Sequence, residues 1–172
     1  MAQAVVDPRP ASDTSGYATF SPRLAPSFIV AGGLLAIAGG LGLWVRVTSV
    51  TAGTVHQSAS LTGAGSVTGW FIAALGIAAV AASIVRFPSS RWLGLAVSIA
   101  AVTLIALRVA DLSRVASTMA FRAGARAGVA FTAYHAGFGW GAWVLTLAAV
   151  ALSLGVVVSL LRWLDERKGY AT

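Results

Sequence analysis

The side chains that could do chemistry in this chain are few, and most gather in one segment. Arg108, Asp111, Arg114, Arg122 and Arg126 all fall within residues 108–126. Arg114, Thr118, Arg122 and Arg126 step by four, so they stay broadly on one side of a helix. Leu112, Val115, Ala116 and Met119 take much of the opposite side, which makes Asp111–Arg126 an amphipathic helix, either extending the third span or lying along the interface. A guanidinium presents a planar fork that fits phosphate and carboxylate bidentately. These arginines are therefore the candidate surface for lipid phosphate or an acidic partner. A solvated helix face is the competing reading. Asp111 lies three residues from both Arg108 and Arg114, a helical ion-pair spacing. A proton-relay carboxylate is the sharper alternative, but relays use ionisable groups inside spans, and the apolar cores of the four spans here carry none.

No catalytic constellation accompanies these residues. There is no glycine loop leading to a Lys-Ser/Thr pair and no nucleophile elbow. The chain has no cysteine, which removes thiol catalysis, thiolate metal sites and disulfides. Its two histidines, His56 and His135, are too few to hold a metal without further ligands, and neither lies in a span to bind haem. The expectation is a protein that is not an enzyme and has no metal or cofactor. The formal charge of +7 does not point to nucleic acid, because eleven of the twelve basic residues are arginines spread along the chain, mostly near span ends.

The elements that would position these residues are four apolar stretches, about 28–46, 67–86, 92–110 and 137–162, joined into one membrane domain over 26–164. Residues 1–25 and 165–172 read as cytoplasmic tails, the first of them disordered. The chain is 58% hydrophobic and 10% charged, with mean hydropathy +0.84. A soluble domain needs about a quarter of its residues charged, so lipid must cover this one. A span needs about 20 apolar residues. Trp44, Trp70, Trp92, Trp140, Trp143 and Trp163 fall at or near the ends of the stretches, where an amphipathic indole marks the membrane interface.

Gly32, Ala36 and Gly40 recur every four residues in the first span and predict one helix-packing face, with Gly137 and Gly141 opening the fourth span in the same role. Val47–Ser66 is rich in Val, Thr and Ser, with a turn at Gly53, and predicts a small β hairpin. A lone hairpin is marginal in water, so it would lean on another loop or a partner. Arg86 and Arg91 flank a tight Pro88 turn between spans two and three. With Arg9, Arg23, Arg162, Arg167 and Lys168 they vote for cytoplasmic termini against Arg46, Arg108, Arg114, Arg122 and Arg126 outside.

The run GLGLWVRVTSV followed by SLTGAGSVTGW resembles the actinobacterial four-span membrane proteins associated with the tryptophan operon. Gly42, Leu43 and Trp44 are also distantly similar to the G-L-W motif of claudin-type tetraspans, whose cysteine pair is absent here. The resemblance implies a left-handed four-helix bundle with a small outer β element, and no catalytic residue. The expected fold is an all-α membrane protein: a four-transmembrane-helix bundle with a small extracytoplasmic β hairpin and an outer amphipathic helix. The expected role is a non-enzymatic accessory or scaffold subunit in a bacterial cytoplasmic membrane. Its partners would be membrane lipids and other integral membrane proteins, with no nucleic acid. A lipid- or small-molecule-binding or transport protein is the alternative.

Overall fold

The computed structural model describes residues 24–51, 54–85, 90–127 and 134–169. These form four long helices, α1 (Leu24–Leu41), α2 (Val67–Ile84), α3 (Ser90–Ala127) and α4 (Trp140–Gly169), and three strands, β1 (Leu43–Thr51), β2 (Thr54–Thr62) and β3 (Tyr134–Phe138). Each helix carries a window long and apolar enough to cross a membrane. The expected disordered tail up to Arg23, the Gly53 turn, the Arg86–Ser89 connection and the last three residues lie outside the described residues.

The helices close a ring. α1 packs on α2 and α4, and α3 packs on the same two from the other side. Large apolar side chains such as Leu34, Phe71, Leu107 and Leu147 point outward and are exposed. The interior is lined by Ala36, Ile72, Ile105, Leu145 and Leu152.

Two adjacent glycine pairs, Gly32-Gly33 and Gly39-Gly40, recur seven residues apart in α1 and set its packing. Gly32 and Gly39 lie against Leu152 and Leu145 of α4; a Cβ on either would come within 2.7–2.8 Å of that leucine. Gly33 and Gly40 lie against α2, where a Cβ would meet the carbonyl oxygens of Gly76 at 2.8 Å and Gly69 at 3.0 Å. Seven residues drift only about 20° around a helix, so each glycine keeps its neighbour through two turns. Gly32 and Gly40 are eight apart, a rotation of about 80° at 3.6 residues per turn. The single face expected from Gly32, Ala36 and Gly40 is therefore split. Gly32 faces α4, Gly40 faces α2, and Ala36 lies fully buried where a Cβ on Gly76 would touch it at 3.3 Å.

The first apolar stretch does not continue as helix to 46. Gly39, Gly40 and Gly42 weaken the helix, and from Leu43 the chain becomes β1. Val45 and Val47 alternate with Arg46 and Thr48, a period of two that suits a strand. The sheet has three strands in the order β2-β1-β3, both pairings antiparallel, so the expected hairpin is incomplete as a description. β3 supplies the other loop on which β1 and β2 lean. Because Gly137 pairs with Arg46 inside β3, the fourth helix begins at Trp140, not at 137, and runs on to Gly169 into the expected tail.

Of the two placements expected for Asp111–Arg126, extension of the third span is the one observed. Asp111–Arg126 continues the third helix without a break, giving α3 38 residues, about 57 Å at 1.5 Å per residue. Leu112, Ala116 and Ala120, four apart, are its buried stripe. α3 packs against β1, β2 and β3, and Val45, Val47, Ala59, Leu61 and Tyr134 belong to the same apolar cluster as that stripe. The sheet thus gives an otherwise unsupported helical extension an apolar surface to pack on.

Candidate functional site

The sheet joins the bundle through a knot of glycines around Trp44. Relative to β2, β1 carries one extra residue between Leu43 and Val45, and that residue is Trp44. A bulge of this kind re-aims a side chain. Here Trp44 and Val45 are both fully buried although they are consecutive. The Trp44 indole Nε1 donates to the Gly39 carbonyl at 2.8 Å, tying the strand back to the last turn of α1. Gly63 N donates to Gly42 O, and Gly139 N donates to Trp44 O, both at 2.8 Å. A Cβ at Gly63 or Gly69 would collide with the Gly40 carbonyl, and one at Gly139 with the Leu43 carbonyl. Side-chain-free backbone lets four chain segments meet within one residue's thickness.

Arg108 of α3 completes this junction. Its guanidinium carbon stands 4.8 Å from the Trp44 ring centroid, a cation–π geometry. Its Nη1 donates to Asp111 Oδ2 at 3.0 Å. Its Nε is buried and makes no hydrogen bond. Arg108 is mostly buried while Asp111 is half-exposed, so the carboxylate faces water and the cation faces the ring. This arrangement ties α3 to the sheet.

Arg114 and Arg122 do not join that cluster. Both are exposed on α3, away from the Leu112–Ala116–Ala120 stripe. Ser117 and Thr118 donate to the Arg114 carbonyl at 2.9 and 2.8 Å, so these hydroxyls are bound to their own helix. Arg126 lies on the same helix, and its side chain is outside the described residues. Of these candidates, Arg108 and Asp111 form an inner pair, and Arg114 and Arg122 face outward.

Of the interface tryptophans, Trp44 is corrected: it is buried because the β1 bulge turns it inward. Trp70, Trp92, Trp140 and Trp143 are exposed and Trp163 is partly so. Trp70, Trp140 and Trp143 stand at the sheet end of the bundle. Trp92 and Trp163 meet edge-to-face at the other end, 5.8 Å between centroids, with Arg167 over Trp163 at 4.2 Å. A Cβ on Gly141 would meet the backbone of Gly42 and Leu43, where α1 passes into β1. Gly137 does not pack on a helix; a Cβ there would meet nothing within 4 Å, because the residue sits on the open face of the sheet.

His56 and His135 pair in neighbouring rows of β1, opposite Ser49 and Thr48, on opposite edge strands. Among the described residues no group of three metal-ligating side chains forms. Sequence reasoning missed the Trp44–Arg108 contact, because the Val45/Val47 alternation would send Trp44 to the other face and only the bulge turns it inward. It also missed Arg46, exposed at the centre of the sheet. Comparison of the chain with protein-family models, curated proteins and solved structures finds no match.

Proposed function

We propose that the four helices cross a bacterial cytoplasmic membrane with both termini cytoplasmic, and that the chain is a non-enzymatic accessory or scaffold subunit of a larger membrane complex. The outward apolar side chains and the exposed indoles at both ends of the bundle support the membrane reading. The observation that carries the role is the length of α3. About 30 Å of hydrocarbon accounts for little more than half of it. The remainder stands clear of the bundle, braced by the sheet, and presents Arg114 and Arg122 on a rigid stalk. A surface held this way suits contact with another protein. The second reading, a lipid- or small-molecule-handling protein, rests on the same arginines because their forks fit phosphate.

The topology is tested with single cysteines at Ser60 and Ser89, which should label from opposite sides of the membrane; labelling of both from one side ends the four-span reading. The role is tested by purification in mild detergent. A stoichiometric large partner that Arg114→Gln/Arg122→Gln/Arg126→Gln releases supports the subunit reading. Bound anionic lipid with no partner supports the second.

A further inference from the structure

The strand alternation that sends Val45 and Val47 against α3 sends Arg46 the other way. Arg46 is the centre of a row with Ser60 of β2 on one side and Gly137 of β3 on the other. The next row is Gln57, Thr48 and His135, with Thr48 Oγ1 donating to the His135 carbonyl at 3.4 Å. Arg46, Ser60, Gly137, Gln57 and His135 are all exposed, so this face has no helix over it among the described residues. Gly137 leaves open space beside Arg46. Asp111, the acidic residue described near the sheet, is already bonded to Arg108 on the other side. The remaining described acids, Asp165 and Glu166, are at the far end of α4. The face is thus polar and singly cationic, with no described carboxylate to neutralise it.

We propose that this open sheet face binds the phosphate of a phospholipid headgroup in the leaflet beneath it, with Arg46 as the phosphate ligand and the Ser60 hydroxyl as a second donor. The proposal rests on the membrane reading above and is independent of the subunit reading. Height favours lipid over an acidic protein. α1 and α2 are 18 residues each, about 27 Å, close to the depth of the hydrocarbon core. The sheet therefore begins where hydrocarbon ends, and Arg46 is three residues past Leu43, at most about 10 Å higher along the strand. Headgroups occupy about 5–7 Å beyond the hydrocarbon, so the arginine stem has only the remaining few ångströms to make up to bring its fork to the phosphates. Exposed Trp70, Trp140 and Trp143 mark the same level, with the Trp140 ring seated against Gly42. At this height a guanidinium fork meets phosphate before it meets a soluble partner, and charge-assisted bonds to phosphate are the strong ones. Because the face has net positive charge, an anionic headgroup binds better than a zwitterionic one.

The test is native mass spectrometry of the full chain in mild detergent titrated with phosphatidylglycerol. Wild type should retain one tightly held lipid, and phosphatidylcholine should compete poorly. Arg46→Gln should weaken retention about tenfold, the worth of one hydrogen bond to a charged group. Arg46→Lys should fall between, because it keeps charge and loses the fork. Ser60→Ala should cost two- to threefold by losing a single neutral donor, at the low end of the net worth of a hydrogen bond. Arg114→Gln/Arg122→Gln should leave the tight lipid in place. Inorganic phosphate alone should not displace it, since acyl chains hold the headgroup at the face. The proposal is overturned if Arg46→Gln and Ser60→Ala both retain the lipid as wild type does. It is equally overturned if the α3 double variant abolishes binding, or if an acidic peptide binds through Arg46 while lipid does not. Arg46 is exposed with no described ion pair, so circular dichroism of Arg46→Gln is expected to match wild type; if it does not, Arg46→Lys and Ser60→Ala decide the matter. Failure of the membrane reading itself would appear separately, in the Ser60 and Ser89 labelling.

Discussion

α1 and α3 face each other across the ring, and they are held by opposite means. α1 meets both neighbours through glycine, backbone against backbone, and nearly every such position would clash with a single added methyl. α3 meets the same two helices more loosely. A Cβ on its Gly94 would reach only the Ala82 methyl, at an ordinary 3.6 Å. One turn on, the Ser98 hydroxyl is buried and makes no hydrogen bond. Ser83, Thr103, Thr146 and Ser159 instead each donate to the carbonyl four residues earlier. What α3 lacks in the bundle it recovers beyond it, through Leu112, Ala116 and Ala120 on the sheet and Arg108 on Trp44. If the bundle lies in lipid, as proposed, apolar surface gains nothing by leaving its solvent, close packing must hold the helices together, and the glycine seams of α1 are suited to that. On the same reading the extension of α3 lies in water, where burial of apolar area is a driving force, and its Leu112–Ala116–Ala120 stripe on the sheet is suited to that.

The contrast predicts a graded set of responses to substitution, read as unfolding free energy in a detergent titration. Gly63→Ala and Gly69→Ala should each cost about 3 kcal/mol or more, beyond the usual range for overpacking, because the clash is with the Gly40 backbone and not with a side chain that can turn away. If either is tolerated, the glycine junction is looser than its geometry requires. Trp44→Phe should cost about 2 kcal/mol by losing the bond to Gly39 and most of the Arg108 attraction. Combining Trp44→Phe with Arg108→Met in a double-mutant cycle should show coupling of about 0.5–1 kcal/mol. Additive single effects would mean that Arg108 does not brace the sheet.

On the α3 side the expected signs reverse. Ser98→Ala should stabilise by about 1 kcal/mol, because it removes a buried, unsatisfied hydroxyl. Gly94→Ala should be neutral or stabilising by up to about 1 kcal/mol, since alanine fits the space and favours helix. A loss at Gly94 as large as at Gly63 would erase the difference between the two seams. The smallest effect belongs to Arg114→Gln/Arg122→Gln, whose two exposed positions should change stability by less than about 0.5 kcal/mol each. Any large loss there would place these arginines in the fold and not in recognition.

Much of this architecture is written in residue types that respond to their nearest solvent and nearest neighbours in the chain. Four long apolar helices follow from composition and length, and the glycine content of 31–42 announces close helix contact. The amphipathic character of 111–126 follows from four-residue steps. These features are local, so they are legible without knowing where any other segment lies. The tertiary structure alone decided the rest. Which helix Gly32 and Gly40 each meet depends on neighbours placed more than a hundred and about thirty residues away. The burial of Trp44 depends on a bulge set by pairing with β2. The third strand depends on Tyr134–Phe138 returning to β1 across some ninety residues of chain. The open face around Arg46 exists only because α3 chose the other side of the sheet. Each of these is a long-range contact whose energy comes from segments that no local pattern can bring together.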